Sequence, residues 1–351
     1  MRAFTNILLV FLFTACTSVP DERMTSYVDF PETRELTART LSLDSALFRY
    51  PYRVRVQDDK AVVLDLHGTE YFFHAFHYPG FHYLSSFGKR GDAPEEMLSA
   101  ENLRWNGNFL WTLDSNKSEL TRLGFASSGD SLLRLEAVSL DEELLRALDF
   151  VQYDDSTFII PDYSGDGRFC LVSRQGKLLR KIGTVPTANE DALKSARPAL
   201  AQAWRSFIDY NPRNGVLAAA TQLGEVLEIY NLKDSTHIVR IGPNGEPEFQ
   251  ISQGYGIPIG IMGFSDIQVT DSAIYVVFQG RAFKDIMQKA QQGINLPDGG
   301  QNIYVFSLEG KPLRKYVLDH YIHGISVDEQ KSIIIATDVN KDEPIIEYKL
   351  L

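Results

Sequence analysis

The chain reads as an all-β protein, a six-bladed β-propeller with short helical insertions between or within the blades, and three observations carry that reading. Six short apolar runs begin at Val62, Leu110, Phe158, Val216, Ile274 and Ile333, at spacings of 48, 48, 58, 58 and 59 residues. A supersecondary unit repeated at such a period is the signature of propeller blades. Most runs are followed by a second one that ends in a turn and a basic residue. The best-formed copy, FIIPDYSGDGRFCLVSRQGKLLRKIG at residues 158–183, reads as strand, turn, strand, Gln-Gly turn and strand. Finally, 44% of the residues are hydrophobic, with 21 Phe and 16 Tyr, which supplies apolar and β-favouring surface for a large core. Six blades need nearly all of the 351 residues, so the chain makes one closed unit rather than two ordinary domains.

The elements follow in order. Arg2, the apolar stretch at residues 7–13 and Phe13-Thr14-Ala15-Cys16 form a short export signal ending before a cysteine. The last four residues resemble a bacterial lipobox, with Phe13 in place of the usual Leu. That resemblance implies cleavage ahead of Cys16 and acylation of Cys16; the alternative is an ordinary secretory signal cleaved nearby. Residues 1–15 are thus read as a lipoprotein signal peptide, residues 16–39 as the lipidated cysteine and a flexible tether rich in Thr, Ser, Pro and charge, and residues 40–351 as the propeller. Asp21-Glu22 resembles a signal for export to the outer face and reads equally as a solvated acidic linker. No later segment is long and apolar enough to form a spanning helix.

The blades fall at residues 52–87, 101–135, 148–183, 207–242, 264–318 and 322–351. Residues 41–47 are expected to add a strand to the last blade and so close the ring. Clusters of Ala, Leu, Lys and Gln predict helical insertions at residues 141–148, 189–205 and 281–292, gathered on one rim.

FGKRGDAPEEM at residues 87–97, together with the blade starts and the lipobox, carries a family resemblance. The chain resembles the TolB-like six-bladed propeller lipoproteins of the Bacteroidota. Gly88, Lys89, Gly91, Pro94 and Glu96 correspond in type to that family's stretch, while Ala93 and Glu95 depart from its glycines. The resemblance covers roughly residues 40–351 and implies a fold and an envelope location, most readily the outer membrane, on its periplasmic or surface face. It carries over no catalytic residues.

Charge and cysteine content narrow the partners. A net charge of −11, without a basic stripe, argues against nucleic acid, whose affinity rests on Lys and Arg displacing counterions. With Cys16 acylated, Cys170 has no partner for a disulfide, and its strand-like setting reads as a buried structural thiol. Four carboxylates stand at a repeated place. Glu101, Asp149, Asp209 and Asp266 lie eight or nine residues ahead of Leu110, Phe158, Leu217 and Ile274. In the right register they face one axial cavity and would hold Ca²⁺, which takes oxygen ligands, or receive a cationic group. Otherwise each caps a turn or bonds a neighbouring backbone, since a slip of one residue turns a side chain to the other face. His67, His74, His77 and His82 lack zinc spacing and read as packing or surface groups. Residues 162–167 read as an Asp- and Gly-rich turn rather than a calcium loop. The function expected is therefore an envelope-anchored lipoprotein with a noncatalytic binding or scaffold propeller that recognises a protein, peptide or glycan. The alternative is a calcium-dependent hydrolase or lactonase, in which the channel carboxylates hold an ion that polarises a carbonyl or activates water.

Overall fold

The structure, a computed structural model, describes residues 24–43 and 48–350. The sheet order makes six antiparallel meanders, blades I to VI, arranged as a propeller. Their innermost strands are Pro51–Gln57, Leu103–Asn106, Val151–Asp154, Ser206–Asn211, Phe264–Val269 and Ile325–Asp328. The six apolar runs form the second strands, which are packed on both faces and so read as continuous rather than alternating hydrophobics. Val216–Thr221 and Ala273–Phe278 are buried at every position. Between neighbouring blades lie the hydrophobic clusters, for example Val216, Ile229, Ile267, Val276 and Phe306 between blades IV and V. Trp111, Leu113, Phe158 and Val172 fill the equivalent space between II and III.

Three sequence expectations are corrected. The closing strand is Arg39–Thr40, paired antiparallel with Ile346 and Glu347, and Leu41 N–H extends the ladder to the Ile345 carbonyl at 2.9 Å. It thus begins ahead of residues 41–47, of which 44–47 lie outside the described residues. Residues 24–26 and 33–36, expected within the tether, instead join the sheets. Met24–Ser26 pairs in parallel with the outer strand of blade IV, and Thr33–Leu36 with that of blade V. Tyr27, Phe30 and Leu36, scattered in a polar stretch, are apolar enough to bury against those blades. Residues 141–148 form turns rather than a helix, with Leu144 and Ala147 drawn into the core between blades II and III.

The other two insertions are helical: α1 (Glu190–Ser195), α2 (Arg197–Ala203) and α3 (Phe283–Gln291). Connections in a meander alternate sides, so the links between blades and those joining second to third strands share one face. All three helices, and the hairpin Phe249–Ser252 with Tyr255–Pro258, stand on that face. The opposite face has short turns. Gln57 pairs with Lys60 and Asn106 with Phe109 across two-residue loops, with Asp58 at φ 52° and Gly107 at φ 54°. The mouth of the channel on this face is left uncrowded.

Candidate functional site

The inner strand of blade I, PYRVRVQ, places Arg53 and Arg55 two positions apart and hence on one face. Both reach Asp266 of blade V. Arg55 Nη1 and Nη2 donate to its two carboxylate oxygens at 2.9 and 2.8 Å, and Arg53 Nε lies 3.1 Å from Oδ1. Arg104 of blade II spans two blades in the same way, with Nη2 3.1 Å from Asp149 and Nη1 2.6 Å from Asp209. Each aspartate also receives a backbone N–H from the next blade: Asp149 from Ile208 at 2.9 Å, Asp209 from Val269 at 2.7 Å, and Asp266 from Ile325 at 2.9 Å. The six groups are a charge-balanced latch that binds blades across the axis, three guanidiniums against three carboxylates. Burial pushes the Asp266 carboxyl up, but Arg53 and Arg55 outweigh it and hold the group below the ordinary range. For Asp209 burial prevails over the pull of Arg104, and its carboxyl is raised.

Three of the four expected channel carboxylates therefore converge, yet on arginines and amides rather than on one another. Glu101 instead accepts from Ser115 Oγ at 2.6 Å, near the start of blade II. Among the described residues no group of three or more His, Cys, Asp and Glu is arranged to hold a metal ion. Each of the three aspartate carboxylates accepts N–H donors from an arginine and from the backbone. Sequence reasoning missed the arginines; the signal for two of them was the alternation Arg53-Val54-Arg55-Val56 ahead of the first apolar run.

Above this latch, on the uncrowded face, lies a cavity of about 410 Å³. Every inner strand contributes to its wall: Gln57, Trp105, Gln152 with Tyr153, Tyr210, Gln268 and Ser326, from blades I to VI in turn. A groove of about 240 Å³ shares Val56, Gln57, Gln268 and Ser326 with it and runs out over blades V and VI. Trp105 stacks on Phe125 with ring centroids 6.3 Å apart, and the Tyr153 and Tyr210 rings lie 5.5 Å apart. Gln268 uses its whole amide on Val327 of blade VI. Gln152 donates to the Asp154 carbonyl at 3.0 Å, while its own amide oxygen is buried without a hydrogen-bond partner.

The remaining candidates are structural. Cys170 is buried, and burial pushes its thiol up to about 12, far from a nucleophile's range. His74 is buried and bonds Ser86 Oγ at 2.7 Å, His77 lies 3.7 Å from Asp59 on the surface, and His67 packs on Tyr50. His82 pairs in register with His77 at the end of the same hairpin. Asp162 folds its loop into a turn by accepting the N–H groups of Ser164 and Gly167 at 3.0 and 2.9 Å. On the helical face, Asp298 accepts from Tyr50 and stands 3.2 Å from His323 Nε2. The bond from His323, supported by that from Tyr50, holds the Asp298 carboxyl well below the usual range. Cys16 lies outside the described residues.

Comparison with known proteins adds the family. A family model described as a TolB-like 6-blade propeller matches residues 29–330. No curated protein matches the chain. Among solved structures, a protein of Bacteroides fragilis described as exported is similar at TM-score 0.57 and 10% identity, covering 93% of this chain and 98% of that one. A DUF4221-family member from Bacteroides vulgatus is similar at 0.53 and 9%, over 90% and 95% of the two chains. An auxiliary nutrient-binding protein from Bacteroides ovatus is similar at 0.52 and 10%, over 86% and 69%. At these identities the likeness is one of fold.

Proposed function

Because this chain belongs to the TolB-like six-bladed propeller family, we propose that it is an exported binding protein, anchored to the cell envelope through lipid on Cys16, that seats its ligand in the channel mouth without transforming it. The observation that carries this reading is the cavity of about 410 Å³ whose wall is built by all six inner strands. Its volume lies in the range of small-molecule sites, and its wall mixes aromatic rings with a few placed polar groups. The latch beneath it is closed by ion pairs, so the cavity is a cup rather than a conduit. A distant structural relative is described as an auxiliary nutrient-binding protein, which accords with such a cup, although fold likeness by itself selects no ligand.

The test uses a photoreactive side chain introduced in cells either at Asn106, on the cup, or at Lys289, on the opposite face. Adducts formed through Asn106 and not through Lys289 are the expected result. Adducts through Lys289 alone would move the seat to the helical face. In the same cells, incorporation of labelled palmitate should disappear in Cys16→Ala; retention of label in that variant would refute the anchor.

A further inference from the structure

Resting on the channel mouth as the seat, we propose that its ligand is an uncharged, polyhydroxylated one, a segment of neutral oligosaccharide. The cup is two-sided. Trp105, Tyr153 and Tyr210 come from the consecutive blades II, III and IV and form an aromatic arc. Gln57, Gln268 and Ser326 come from blades I, V and VI and form a polar arc facing it; the Gln268 amide is held by Val327, which leaves the Gln57 amide oxygen and the Ser326 hydroxyl proton to meet a ligand. A sugar ring has the matching division, with C–H groups on its faces that pack on aromatic rings and hydroxyls around its edge that bond amides.

Charge selects against the alternatives. The floor holds Arg55, Arg104 and Asp209, which belong to a latch of three guanidiniums and three carboxylates with no net charge. An ion of either sign would give up its hydration there without a net counter-charge, and the exposed rim carboxylates Asp154 and Asp155 are screened by salt. A neutral ligand avoids that cost. Gln152 stands in the wall with its amide oxygen buried and without a donor, and a turn of that amide toward the cup would let a sugar hydroxyl supply one. The adjoining groove of about 240 Å³ gives a chain of sugars a direction to leave the cup, over blades V and VI.

The experiment is calorimetric titration of the mature protein, purified in a detergent without a sugar headgroup. The probes are tetrasaccharides of the malto, xylo, manno and chito series, with tetragalacturonate and tetralysine as charged probes. At least one neutral series should bind saturably at up to millimolar concentration and quench tryptophan fluorescence, while neither charged probe binds. Trp105→Leu should weaken that binding about tenfold, and Gln152→Ala, which removes no core packing, several-fold with an unchanged melting temperature. Binding by a charged probe alone, or by no neutral series, overturns the ligand class; binding indifferent to both variants overturns its location. If the Asn106 photoadduct forms but no neutral saccharide binds, the seat stands and the glycan does not.

Discussion

At the residue scale the axial aspartates show how one side chain serves several blades. Asp266 pairs with both Arg53 and Arg55 from blade I and takes the Ile325 N–H from blade VI. Replacing it with Asn keeps the shape and leaves two buried guanidiniums without a counter-charge. Breaking a buried ion pair from one side costs about 3–5 kcal/mol, so Asp266→Asn should lower the urea midpoint substantially. The effect has a pH window. The folded carboxyl titrates below the ~3.9 of an unfolded aspartate, so its stabilisation is fully present above that value and is lost as pH falls through the folded pKa. The gap between wild type and variant should therefore be constant near neutrality and narrow below about pH 4. A small gap, or one that widens in acid, would show that Asp266 is not the anchor of the latch. The carboxylates themselves were legible from their recurrence ahead of each apolar run. Their partners were not, because an arginine in blade I meets an aspartate more than 200 positions away, and no local pattern encodes that meeting.

At the scale of elements, the N-terminal arm carries more than its composition suggests. Its strands cover the outer edges of blades IV and V, and between them Tyr27 donates to Glu225 at 2.7 Å while its ring lies 5.3 Å from that of Phe306. Parallel addition to an outer strand occupies backbone groups that would otherwise be an open edge. Tyr27→Ala removes a buried ring and leaves the Glu225 carboxylate short of a donor, so a loss of about 3 kcal/mol is expected by denaturant unfolding. Val28→Ala, at an 85% exposed position of the same arm, should leave stability unchanged; equal losses from both changes would mean that the arm does not pack as described. Blade boundaries were readable because second strands are buried on both faces and stand out as apolar runs. The arm was not, since an edge strand buries only a few side chains and its sequence resembles a linker.

At the scale of the whole molecule, closure and charge balance decide what the channel does. The ring is sealed by Arg39–Thr40 against the last strand of blade VI, and the axis is crossed by three arginines paired with three aspartates. A ligand bound only by the folded state raises its melting temperature. Since the axial oxygens are taken by N–H donors, calcium and chelator should give the same melting temperature in wild type and in Asp209→Asn; a calcium-dependent rise abolished in that variant would restore the metal-site reading. By itself the sequence determined the repeat, the number of blades, the places of their second strands and the recurrence of acidic residues at or just before the inner strands, because these follow from local hydrophobic periodicity and spacing. Only the tertiary structure decided that the axial aspartates face arginines, that the arm joins the sheets, and that aromatic, amide and hydroxyl side chains from six separated strands meet in one cup. Each of those outcomes depends on contacts between distant parts of the chain, which exist only once the ring has closed.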